Sequence, residues 1–134
     1  MIVQYNTNSR LKVDALAPFD LELSRDRVTD ENSEVTFLNP NHSILNYPNK
    51  ITQKDFEGWT QERGLYFPDK WSSDFTPILS MNDKGEAPST GSLLIAPYGK
   101  GNMVYLSLVL FRQLPAGNPG AYKLLANLIS LPKH

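Results

Sequence analysis

One stretch constrains the fold more than any other: residues 93 to 132 read as a strand, a glycine turn, a second strand and a closing helix. Leu93-Leu94-Ile95-Ala96 is short and apolar, and Gly99-Lys100-Gly101-Asn102 offers residues that tolerate the positive φ of a tight reversal. Met103 to Phe111 is then almost unbroken apolar, the pattern of a strand buried on both faces. Asn118-Pro119 supplies an N-cap and a first helical residue, and Pro132 stops the helix. A strand covered on both faces needs a layer above and below it. The expected class is therefore α/β, a mixed sheet with flanking helices.

At 134 residues the chain holds one domain at most, 1–134. A hydrophobic content of 40% supports a core, and ten prolines with eight glycines imply many turns. Thirteen basic against fourteen acidic residues leave a net charge of -1, which argues against nucleic acid or a membrane surface as a charge-driven partner. With no cysteine there is no thiolate nucleophile, disulfide or cysteine metal site, and no cofactor is expected. No apolar run approaches the ~20 residues of a membrane span. Met1-Ile2-Val3 lacks the basic start and long apolar stretch of a secretory leader. Met1 to Tyr5 reads as a strand that begins with no preceding turn, as in an α/β domain truncated at its N-terminus. On that reading the start assigns no compartment, and an exposed sheet edge is expected to favour homo-oligomers.

Further along, Asn6-Thr7-Asn8-Ser9 reads as a polar turn, and residues 10 to 34 as irregular. Leu11, Val13, Leu16 and Phe19 are expected to anchor that loop, with Leu21 and Leu23 alternating like a short strand. Arg25-Asp26-Arg27 is a solvated charge cluster. Val35 to Leu38 is a short strand ended by Asn39-Pro40. Residues 51 to 63 are expected to form a helix. Thr52 and Asp55 fit a capping box, Ile51 and Phe56 a hydrophobic staple, and Gly64 the residue after the helix end. Leu65-Tyr66-Phe67 is a strand closed by Pro68, and Asp69 to Asp74 a loop carrying Trp71. Pro77 to Met81 is a further strand, and Asn82 to Glu86 a strong turn. In the last helix Lys123, Asn127 and Ser130 form one narrow polar stripe, so burial over most of the circumference is expected.

Few residues suggest chemistry. His42 needs a partner carboxylate or a second ligand, and the other histidine is the terminal His134, so a turn-stabilising role fits better than a metal site. Asn41-His42-Ser43 is formally a glycosylation sequon. Asp55 to Phe67 is the densest functional-looking segment. Its carboxylates suit acid–base work, and Trp59 or Tyr66 suits stacking on a sugar ring. The structural alternative has Asp55 capping, Glu57 solvated, Glu62 and Arg63 pairing locally, and the aromatics in the core. Arg112-Gln113 follows the apolar strand, at the level where open α/β sheets bind ligands. Arg112 suits a carboxylate or phosphate there, or equally the carbonyls of the loop Leu114 to Gly117. Gly99-Lys100-Gly101 joins two strands, so it is a hairpin turn and not a phosphate loop.

Taken together, Gln4-Tyr5-Asn6-Thr7-Asn8, Asn49 to Phe56, Trp59 to Pro68 and Phe111 to Gly117 resemble the C-terminal region of long bacterial proteins of the PIG-L/LmbE-like deacetylase family. The resemblance covers nearly the whole chain, and Gln61-Glu62-Arg63-Gly64-Leu65-Tyr66-Phe67 is its most specific part. In such proteins a deacetylase domain comes first, and a region similar to class I glutamine amidotransferases follows. Tyr98-Gly99-Lys100-Gly101 with Met103-Val104-Tyr105 also looks like the end of ThuA-like domains. The resemblance implies the C-terminal half of a flavodoxin-like sandwich.

The departures narrow the function it implies. The deacetylases bind zinc through His-Pro-Asp-Asp and a later His-x-x-His, and neither is present. The amidotransferases need a cysteine nucleophile and a downstream His-x-Glu, also missing. No catalytic residue carries over. The first expectation is an accessory, non-catalytic module of a sugar-deacetylase-type protein. Its partners would be the deacetylase domain of the parent chain and a glycan. The rival is a divergent small-molecule-binding or hydrolytic domain with Glu62, Arg63, Tyr66 and Arg112 in one cleft. The candidate ligand-binding residues are those four with Gln113, Trp59 and His42.

Overall fold

The computed structural model describes residues 1–4 and 17–132. The readings placed on Tyr5, Asn6–Ser9, Leu11, Val13, Leu16 and His134 lie outside them. The elements are β1 (Ile2–Gln4), β2 (Leu21–Val28), β3 (Thr36–Phe37), β4 (Gly64–Trp71), β5 (Thr76–Pro77), β6 (Leu79–Ser80), β7 (Leu93–Tyr98), β8 (Gly101–Leu106), α1 (Leu110–Gln113) and α2 (Pro119–Ile129). Single 3-10 turns lie at Ser43–Leu45 and Gln53–Phe56.

Four strands make the main sheet in the order β1-β8-β7-β5. β1 runs parallel to β8, with Ile2 opposite Val104, and the other pairs are antiparallel. The sheet is therefore mixed, and the fold mixed α/β. The β7–β8 hairpin closes with Tyr98 opposite Gly101, leaving Gly99 and Lys100 to reverse the chain. Gly99 sits at φ +56, where a side chain is disfavoured.

The central strands are apolar on both faces because each face has its own core. Leu93, Ile95, Val104 and Leu106 join Leu124 and Leu128 of α2 in the larger cluster. The alternate residues Leu94, Ala96, Met103 and Tyr105 point the other way, onto Leu21, Leu23 and Phe75. Phe19 packs edge-on against Phe75 and Tyr98, as an anchor should.

Several expected boundaries move. Met103 to Leu110 is buried throughout, but the strand ends at Leu106. The chain then makes a bridge from Leu108 to Gly64 and turns into α1, so Leu110 and Phe111 are helical. An apolar run reports burial and not conformation. Residues 21–28 are not irregular: Arg25-Asp26-Arg27 is solvent-facing but belongs to β2. Its partner β4 continues through Pro68 to Trp71. Pro68 is tolerated because that ribbon has two strands and an irregular register around Leu23. Pro77 to Met81 divides between β5 and β6, in different sheets.

The helix expected over 51–63 is a single 3-10 turn. Its start is as read: the Asp55 carboxylate accepts from the Thr52 N–H at 2.7 Å. Gly58 at φ +68 and Gln61 at φ +69 turn the chain away before a second turn forms. Gly64 therefore does not end a helix. It opens β4, where a Cβ would lie 2.4 Å from the Ser107 carbonyl oxygen.

The last helix also faces differently from the expected stripe. Asn118 caps it, its side chain accepting from the Ala121 N–H at 3.2 Å, with Pro119 in the first turn. Its buried face is Gly120, Ala121, Leu124, Asn127 and Leu128. Tyr122 and Ile129 face solvent, at 53% and 72% exposure. Burial covers one face and not most of the circumference, and Asn127 lies within that face.

Candidate functional site

Arg63 is the centre of the densest polar segment, and it is buried at 4% exposure. The Val28 carbonyl accepts from its backbone N–H, and its own carbonyl accepts from the Val109 N–H. With its main chain so fixed at the start of β4, the side chain runs inward. Nε and Nη2 donate to the Ser33 carbonyl at 3.3 and 2.8 Å, and Nη1 donates to the Phe56 carbonyl. The guanidinium also lies 5.5 Å from the Trp59 ring centroid and 5.8 Å from that of Phe56. Burial pushes its pKa down to about 10, against the pull of Asp30 and Glu31, so it stays charged at neutral pH. No carboxylate among the described residues pairs with it directly.

The local Glu62–Arg63 pair expected from the sequence does not form. Glu62 pairs instead with Arg112, Oε1 to Nε at 3.3 Å, and the Arg112 guanidinium lies over Phe111. Arg112 sits in α1, just past the end of β8. Its neighbour Gln113 is fully buried and closes a two-bond ring with Thr60. Oε1 accepts from the Thr60 N–H at 2.8 Å, and Nε2 donates to the Thr60 carbonyl at 2.9 Å. Tyr66 adopts φ +62, an uncommon conformation for a bulky residue. Its carbonyl accepts from Tyr105 Oη at 3.1 Å and Ser107 Oγ at 3.2 Å.

Trp59 is buried, stacked on Phe56, and its Nε1 donates to the Asp55 carbonyl at 3.0 Å. His42 caps the turn at Ser43–Leu45: its Nδ1 accepts from the Ile44 N–H at 3.1 Å. Burial lowers its pKa, which favours the neutral ring that acceptance requires. The structure thus brings Glu62 and Arg112 together and turns Arg63 inward, onto the Ser33 and Phe56 carbonyls. Trp59, Gln113 and His42 each hold backbone.

Three polar groups matter here in ways that a reading of the sequence does not show. Asp55, at 6% exposure, meets Lys123 at 2.8 Å as well as the Thr52 turn. Asn127 joins α2 to the segment 44–49. Ser33 has a buried Oγ without a hydrogen-bond partner among the described residues. The Thr52/Asp55 spacing signals the cap but not its distant lysine. The spacing of Lys123 and Asn127 signals a shared helix face but not that Asn127 is buried while Lys123 stays partly solvated.

Arg63, Ser33, Asn32, Glu34, Gln53 and Glu57 line a surface cleft of about 230 Å³, together with Val35, Phe56 and Gly58. No group of three or more metal-ligating side chains occurs among the described residues. No helix among them is long and apolar enough to cross a membrane. No protein-family model matches the chain, and no curated protein is significantly similar to it.

Proposed function

We propose that this chain is an accessory, non-catalytic domain of the kind that follows the deacetylase domain in PIG-L/LmbE-type proteins. On this reading it contributes domain packing and glycan contacts, and its sheet is the C-terminal part of an amidotransferase-like, flavodoxin-type sandwich. The support is the treatment of the most motif-like residues. Arg63, Gln113, Trp59 and His42 all bond backbone of distant or neighbouring segments. Residues engaged in this way position chain rather than substrate. The parallel pair β1/β8 followed by α2 also suits a sandwich of that type.

One observation favours the rival, a small-molecule-binding or hydrolytic domain. Glu62 and Arg112 meet beyond the C-terminal end of β8, and Tyr66, four residues along from Glu62, is held at positive φ. Arg63 does not join them, so such a site would rest on Glu62, Tyr66 and Arg112.

The two are separated by titrating the chain with a PIG-L-type deacetylase domain by calorimetry, alongside a hydrolysis screen of acetylated sugars and amides. The accessory reading expects association and no turnover by the chain alone. Turnover that disappears in Arg112→Ala, with the fold intact, would establish the rival.

A further inference from the structure

The main sheet treats its two edges differently. β5 closes one edge with Thr76 and Pro77, and a proline has no N–H to offer a further strand. β1 forms the other edge, and among the described residues no strand lies on its outer side. Its ladder with β8 is parallel: Ile2 lies opposite Val104, and the Met1 carbonyl accepts from the Val104 N–H at 2.9 Å. In such a ladder alternate residues of a strand face the same neighbour. Met1 and Val3 thus turn their backbone groups to β8, and Ile2 and Gln4 turn theirs outward. Ile2–Gln4 carries no proline, lysine or other charge, the devices that keep an edge from pairing.

The side chains beside this edge are apolar. A groove of about 440 Å³ runs between β1 and the end of α2, with Ile2, Val104, Leu128, Ile129 and Leu131 in its lining. Met1 is 69% exposed, Ile2 38% and Ile129 72%. Outward backbone groups specify a β-strand as the occupant, since extended chain presents donors and acceptors at the matching interval. The charge pattern favours a second copy. No charged side chain lines the groove, so the surface can be opposed on itself about a two-fold axis with apolar groups meeting and no like charges facing.

We infer that two copies of this chain pair through β1. The strands run antiparallel and centre on Val3. Ile2 of one protomer lies opposite Gln4 of its partner, each pair exchanging both of its N–H···O bonds. The two four-stranded sheets become continuous, and the two apolar grooves adjoin on one face. A three-residue strand is small beside the ~800 Å² that each partner gives to a standard interface, so the dimer is weak and reversible. The inference is independent of the accessory reading.

The test is sedimentation equilibrium of the whole chain from micromolar to millimolar concentration. The mass should rise from that of one chain toward that of two. Two variants address the edge without touching the β8 ladder. Gln4→Pro removes an outward N–H, and Ile129→Glu puts a charge on the exposed end of α2. Each should keep the parent melting temperature at the most dilute concentration and weaken dimerisation about tenfold or more. The register has its own readout, because the chain has no cysteine. Val3 of the two protomers would face each other as a non-hydrogen-bonded pair, close enough for a disulfide. Val3→Cys should oxidise to a covalent dimer at concentrations where Tyr122→Cys, at an exposed site on α2, stays monomeric. The mass of one chain over the whole range would overturn the inference, as would a dimer that both variants leave intact. A chain that stays monomeric, but whose Ile2 and Gln4 amides shift on adding a PIG-L-type deacetylase domain, would give the edge to that partner and overturn the second copy.

Discussion

The side-chain amide of Asn127 donates to the backbone carbonyl of Ile44, 83 residues earlier, at 2.7 Å inside the core. The same amide donates to the Asn49 carbonyl at 2.8 Å, and its oxygen accepts from the Asn49 N–H at 2.9 Å. One residue thereby pins a segment with little regular structure of its own onto α2. Removing it leaves two carbonyls and an N–H without their partners. At ~1–3 kcal/mol for each unsatisfied buried group, Asn127→Ala should destabilise by at least ~2 kcal/mol. Asn127→Asp should lose more, because a carboxylate would then face two carbonyl oxygens. Urea unfolding of the two variants checks both the size and the order.

Gly120 should defy its helix propensity. Glycine to alanine in a helix interior ordinarily stabilises by about 1 kcal/mol. Here α2 packs so closely on the turn at Gln53–Phe56 that a Cβ on Gly120 would lie 1.8 Å from the Asp55 carbonyl oxygen. Gly120→Ala should therefore lower the melting temperature. An unchanged or higher value would show that the helix stands off that turn.

Acid should unfold the chain in a defined window. Burial acts to raise the Asp55 carboxyl, but it is outweighed by the Lys123 hydrogen bond, the Thr52 N–H, the Lys123 charge and the Thr52 hydroxyl. Burial likewise acts to raise Asp83, and the Asp30 and Thr29 N–H groups, the Thr29 hydroxyl and the Arg27 charge together lower it. Both carboxyls sit below their ordinary value of 3.8 in the folded state. Their contribution is present above that value and is lost as pH falls through the lower, folded one. Melting temperature should begin to decline below about pH 6.5, where the unfolded chain protonates His42 more readily than the folded one, and fall further below about pH 4, with a shallower final fall in Asp55→Asn and Asp83→Asn. Lys123→Met should cost about 1 kcal/mol at neutral pH, since the lysine is partly solvated.

Leu106 and Leu128 are 1% and 3% exposed, on β8 and α2 of the larger core. Leu106→Ala and Leu128→Ala should each destabilise by ~2–5 kcal/mol. Ile129, beside Leu128 in sequence but 72% exposed, is the control. Ile129→Ala should change stability within about 0.5 kcal/mol. Equal losses at 128 and 129 would mean that the helix is rotated from the orientation described.

What the sequence displayed, and what it hid, follows from the range of the forces involved. The β7–β8 hairpin, the Asn118 cap, the Thr52/Asp55 cap and the His42 turn were legible because each is decided within a few residues. The helix over 51–63 was not, because Gly58 and Gln61 leave it at positive φ under tertiary constraints that no spacing announces. Asn127 looked like part of a solvated stripe, since only the fold brings Ile44 and Asn49 to it. Arg63 and Glu62, adjacent in the chain, look like partners until β4 sends the arginine inward while α1 supplies Arg112 to the glutamate. The site residues were therefore recognisable as polar groups worth attention, but their grouping was not.

That the polar residues around Arg63 build the fold, rather than a reaction centre, is tested most directly by urea unfolding of Arg63→Lys beside Arg112→Lys. Lysine keeps the charge but cannot span the Ser33 and Phe56 carbonyls with a fixed fork. Arg63→Lys should lose at least ~2 kcal/mol. Arg112→Lys, whose single ion pair is partly solvated, should lose less than about 1 kcal/mol. An Arg63→Lys variant as stable as the parent chain would contradict a structural role for Arg63.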